Sequence, residues 1–68
     1  MSSKIPNEPV YTLLLSTTEF PDEEGLRKAI QEILPGQWWN LYEANEEYVI
    51  TSHKQAEELK RCIVEKLN

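Results

Sequence analysis

His53 and Cys62 are the only histidine and the only cysteine, and they are the pair best suited to nucleophilic chemistry, since an imidazole within hydrogen-bond reach activates a thiol. Their nine-residue separation, read on one helix, places them about 13.5 Å apart along the axis and about 180° apart around it, where a base needs contact at about 3 Å. Cys62 adjoins the Leu59 and Ile63 stripe and reads as a small core residue, and His53 reads as a surface residue in the first turn of that helix. Carboxylates cluster at Asp22, Glu23 and Glu24 and again at Glu43, Glu46 and Glu47, but neither group has the spacing or the glycine-defined loop of a calcium site. Gly25 and Gly36 are the only glycines, too few for a phosphate-binding loop. We therefore expect no catalytic residue, no metal ligand set and no cofactor, and a protein that is not an enzyme. The remaining groups with a chemical use are Trp38, Trp39 and Tyr42, whose rings either stack on nucleic-acid bases or anchor a protein partner.

The elements that position these rings are readable from apolar spacing. Residues 1–9 carry two prolines and no apolar period, the pattern of a flexible leader, so we expect a single domain over residues 10–68. Val10 to Ser16 is rich in β-formers with apolar residues on both alternating faces, and forms strand one. Pro21 and the acids that follow it start a helix near Asp22; Leu26, Ala29, Ile30, Ile33 and Leu34 line one side of it, and Pro35-Gly36 ends it. The spacing also offers i,i+4 ion pairs at Glu23/Arg27, Glu24/Lys28 and Glu57/Arg61. Gln37 to Glu43 forms strand two, Ala44-Asn45-Glu46 a tight connection with Asn45 suited to positive φ, and Glu47 to Thr51 strand three. Ser52 with Gln55 reads as a capping box, from which Ala56, Leu59, Ile63 and Leu67 continue one stripe.

The order β-α-β-β-α defines an α+β two-layer sandwich: a three-stranded antiparallel sheet of order 1-3-2 with two helices on one face. It resembles a ferredoxin-like plait lacking the fourth strand, a likeness of fold that carries no functional residues. Strand one then lies at an edge, yet residues 10–15 contain neither charge nor proline, the usual devices that blunt an edge. If Trp39 and Leu41 face the helices, alternation sends Trp38, Asn40 and Tyr42 to the open face beside Val10, Thr12 and Leu14. Those six residues, with Tyr48 of strand three, are the expected partner-binding set.

Charge narrows the partner. Twelve acids against seven bases give a net charge of −5, which repels phosphate backbones and anionic lipid. No Lys or Arg lies between Ala29 and His53, the span that holds the aromatic strands. This argues against nucleic acid, so a single-stranded nucleic-acid binder stacking bases on Trp38 and Tyr42 is the alternative to a protein-interaction module, either homodimer, adaptor or inhibitor. The leader lacks the apolar run of a signal peptide, no stretch is apolar enough to span a membrane, and one cysteine implies no disulfide framework. The expected setting is cytoplasmic.

Overall fold

The computed structural model describes residues 8–68. Its elements run β1 (Tyr11–Ser16), α1 (Glu23–Ile33), β2 (Trp39–Ala44), β3 (Glu47–Ser52) and α2 (Ala56–Leu67). The sheet is antiparallel with order β1-β3-β2, so β3 is central and both β1 and β2 are edges. This is the α+β arrangement that the spacing of apolar residues implies.

Capping chemistry starts α1. The Asp22 side chain accepts a hydrogen bond from the Gly25 amide at 3.1 Å, satisfying one of the first-turn donors, and Glu23 and Glu24 complement the amide end of the helix dipole. Leu26, Ala29 and Ile30 are its buried positions. The helix closes at Leu34, whose N–H donates to Ile30 at 2.8 Å, and Gly36 takes φ +71°, a conformation that costs glycine nothing. Of the three ion pairs that the spacing offers, Glu23–Arg27 forms at 3.1 Å, whereas the pairs that tie down α2 are Lys54–Glu58 at 3.7 Å and Lys66–Glu32 at 2.6 Å, the latter bridging to α1.

The β2–β3 hairpin turns on Asn45 and Glu46, both with positive φ at 55° and 63°, which is a two-residue type I′ connection. Glu46 is a strained occupant of its position, and Thr17 supports it by donating from both its backbone N–H and its hydroxyl to the Glu46 carbonyl, at 3.1 and 3.0 Å. The start of α2 differs from the capping-box expectation. Ser52 extends β3, pairs with Tyr11 on one side and Trp39 on the other, and is 1% exposed. Its hydroxyl accepts from the Lys54 N–H at 3.2 Å within a local turn, so the helix begins at Ala56 and Gln55 precedes it with no side-chain cap. His53 consequently lies in the turn and not in the helix.

One core joins the layers. Leu13, Leu15, Leu41, Tyr48 and Ile50 from the sheet meet Leu26, Ile30, Leu34, Leu59 and Ile63 from the helices. All the buried strand residues share one parity, so both helices lie on the same face and the opposite face has no layer over it among the described residues. Helix α2 packs against α1 and over β1.

Candidate functional site

The open face is laid out by the ladder register. Leu14, Val49 and Tyr42 form one cross-strand row, and Thr12, Thr51 and Asn40 form the next. Continued by one residue past the strand ends, the same parity brings Val10, His53 and Trp38 together, and the Trp38 and His53 rings lie 5.5 Å apart at 45°. The four apolar members that stand out from this surface are Val10, Leu14, Trp38 and Tyr42, each just over half exposed. Val49 and Thr51 are half-buried between them because their strand has a neighbour on each side. Covering the remaining half of one such ring is worth about 2–3 kcal/mol before the cost of association.

His53 is held by the segment that leads into β1. Its Nδ1 lies 2.8 Å from the Pro9 carbonyl, which can only accept, so the contact places a proton on that nitrogen; Nε2 lies 3.6 Å from Glu8 Oε1. Residues 8 and 9 of the expected leader are thus engaged with this turn, while its positions 1–7 fall outside the described residues. Negative charge rims the face: Glu47 occupies its end row opposite Ser16 and Ala44, next to Glu46 in the turn.

The six candidates Val10, Thr12, Leu14, Trp38, Asn40 and Tyr42 all fall on this face or its continuation. Tyr48 does not. It is 4% exposed and belongs to the core, and the face residues of β3 are Val49 and Thr51 instead. The two-residue turn is the reason, because pairing Ala44 with Glu47 forces Tyr42 opposite Val49 and Asn40 opposite Thr51. That turn was the signal in the sequence from which Val49 and Thr51 were obtainable. Burial pushes the Tyr48 phenol above its ordinary pKa, and the negative charges of Glu43, Glu23 and Asp22 add to the shift.

Which backbone groups of the edge strands are free follows from the same ladder. Thr17 N–H donates to Glu46 C=O, so in the alternating antiparallel pattern Tyr11, Leu13 and Leu15 bond to β3 while Thr12, Leu14 and Ser16 point outward. The Ser16 carbonyl accepts from Phe20 N–H at 3.0 Å. Among the described residues, Thr12 and Leu14 make no hydrogen bond on that side. On the other edge, the hairpin leaves Trp39, Leu41 and Glu43 pointing outward, and Arg27 Nη2 donates to the Leu41 carbonyl at 3.1 Å. This contact spans fourteen residues between layers, and nothing local in the sequence announces it.

The groups with possible reactive chemistry are not assembled. His53 rests on Trp38, whereas Cys62 is half-buried on α2 in a shallow groove with Ile33, Lys54 and Lys66. Asp22 is occupied as a helix cap and Glu23 by Arg27. Among the described residues no three His, Cys, Asp or Glu side chains are grouped to hold a metal ion, and no helix is long and apolar enough to cross a membrane. A concavity of about 430 Å³ opens between the segment after β1 and the last turn of α2, with Glu19, Phe20, Val64 and Leu67 in its wall. In comparisons with protein-family models, with curated proteins and with solved structures, the chain matches none.

Proposed function

We propose that this protein is a small acidic protein-interaction module, self-associating or acting as an adaptor or inhibitor, whose contact surface is the open sheet face together with the β1 edge. The observation that carries this reading is the alignment of Val10, Leu14, Trp38 and Tyr42, all half exposed, on one unlayered sheet face beside a strand whose outward amides are unpaired among the described residues. Trp and Tyr are the residue types that anchor protein interfaces, and an acidic rim selects a basic partner surface. A lone free cysteine and an acidic, membrane-repelling surface suit a cytoplasmic setting.

The same rim counts against the nucleic-acid reading, because rings that stack bases work beside cations that hold the phosphates. The test combines sedimentation equilibrium at tens of micromolar protein with affinity capture, each run on the wild type and on Trp38→Ala. The expected result is a loss of association or of captured partners in the variant, with tryptophan fluorescence unchanged by a single-stranded oligonucleotide at low salt. A strict monomer whose Trp38→Ala form keeps every captured protein removes the reading.

A further inference from the structure

The only histidine of the chain, the one side chain type that ordinarily changes charge near neutral pH, continues the open face at the end of β3. Its contacts decide where a second proton goes. Nδ1 donates to the Pro9 carbonyl at 2.8 Å, so the first proton is held there and Nε2 is left as a lone pair. That nitrogen faces Glu8 Oε1 at 3.6 Å, and in the neutral ring both atoms are acceptors, so no hydrogen bond joins them. A proton on Nε2 converts the opposed pair into a charge-assisted contact. Trp38 responds to the same proton, because its ring centroid lies 5.5 Å from that of the imidazole, within the about 6 Å over which an indole attracts a cation.

Each element around the turn adds to or opposes that proton. The segment before β1 brings Glu8, and the starts of β1 and β2 bring no charge, since Val10 and Trp38 flank His53 in its row and Tyr11 lies on the helix-side parity. Lys54 follows in the turn, but its Nζ is directed to Glu58 of α2 at 3.7 Å. Helix α2 presents its amide end, which disfavours a cation, together with Glu57 and Glu58, which offset it. Glu8 and Trp38 are the groups in direct reach of the ring.

We propose that His53 is a proton-operated clamp: protonation of Nε2 closes the Glu8 contact and seats the imidazolium on Trp38, fixing the entry to β1 and the indole at one end of the open face together. In the neutral ring the Pro9 bond alone holds the segment. The added contacts exist only with the second proton in place, so local order is gained as the pH falls through the range in which histidines charge, about 8 to 5, and is lost as it rises again. Every group in the clamp belongs to this chain, so it operates whether or not the face holds a partner.

The experiment is an NMR titration of the full chain across that range, with amide hydrogen exchange at its two ends. At the upper end the ring nitrogen shifts of His53 are expected to place its proton on Nδ1. On acidification the Trp38 indole N–H and the Glu8 amide move with the same midpoint as the His53 ring. Protection of the Tyr11 amide, taken relative to Leu13 so that global stability cancels, rises about threefold, the size of effect a weak, partly exposed ion pair delivers. Glu8→Gln, an exposed substitution, keeps the Pro9 bond and abolishes that rise. Three results overturn the clamp: a proton on Nε2 instead of Nδ1 at the upper pH, Trp38 and Glu8 resonances that do not follow the His53 midpoint, or a rise in Tyr11 protection that survives Glu8→Gln.

Discussion

At the β2 edge the Arg27 guanidinium donates to the outward Leu41 carbonyl at 3.1 Å and is itself held by Glu23 at 3.1 Å, and the exposed carboxylate of Glu43 follows two residues on. At the β1 edge the equivalent outward groups of Thr12 and Leu14 meet no such donor among the described residues, and the side chains beside them are uncharged. Both strands pair with the same central β3 over six residues and bury the same parity. The difference therefore does not come from strand quality. It comes from what the overlying helix lowers onto the sheet margin: on the β2 side α1 supplies the Arg27 cation. An edge protected by charge resists further pairing, and an uncharged edge with free backbone groups invites it.

The comparison depends on β3 holding both edges in register, so the largest effect comes from breaking it there. Ile50 is fully buried opposite both Leu13 and Leu41. Ile50→Ala is expected to cost about 3–4 kcal/mol, a large share of a domain this small, and urea denaturation followed by circular dichroism checks it. A loss under 1 kcal/mol means that the core is not where the burial pattern puts it.

A smaller change sharpens the contrast between the edges. Arg27→Ala removes the Leu41 cap and is expected to cost about 1 kcal/mol in the same urea assay. It should also raise concentration-dependent association, because the β2 edge then resembles β1; sedimentation velocity that shows no change argues that Arg27 does not guard the edge.

The smallest effect concerns the tie between the helices that makes their layer one unit. Lys66, hydrogen bonded to Glu32 at 2.6 Å, holds the Glu32 carboxyl below its ordinary value of 4.5. A folded-state pKa below the unfolded one gives stability that is present above about 4.5 and is lost as the pH falls through the folded value. Glu32→Gln is expected to be slightly less stable than wild type at pH 7 and equal to it at pH 2, by thermal melts at both. An equal deficit at the two pH values assigns the loss to packing instead of charge.

Much of the fold was legible because single residues answer to local rules. Asp22 is a cap, Pro35-Gly36 is a stop, and the alternation in Leu13-Leu14-Leu15 and Trp39-Asn40-Leu41 separates an inner from an outer face once one member is known to be buried. The open sheet face was legible for the same reason, except in β3, where Tyr-Val-Ile-Thr offers two faces of comparable hydrophobicity and only the turn register chooses between them.

Composition, charge and apolar period thus determined the order β-α-β-β-α, the acidic surface and the identity of six outward residues, since each depends on neighbours within one element. Tertiary structure decided the rest. Ser52 stayed in the sheet because Tyr11 and Trp39 flank it, which overrode its capping pattern and left His53 against Trp38. Arg27 found the Leu41 carbonyl, and Val64 and Leu67 came to share a concavity with Phe20, only when the two layers were stacked. Such contacts join residues far apart in the chain, and their geometry exists only once the helices have been laid across the sheet.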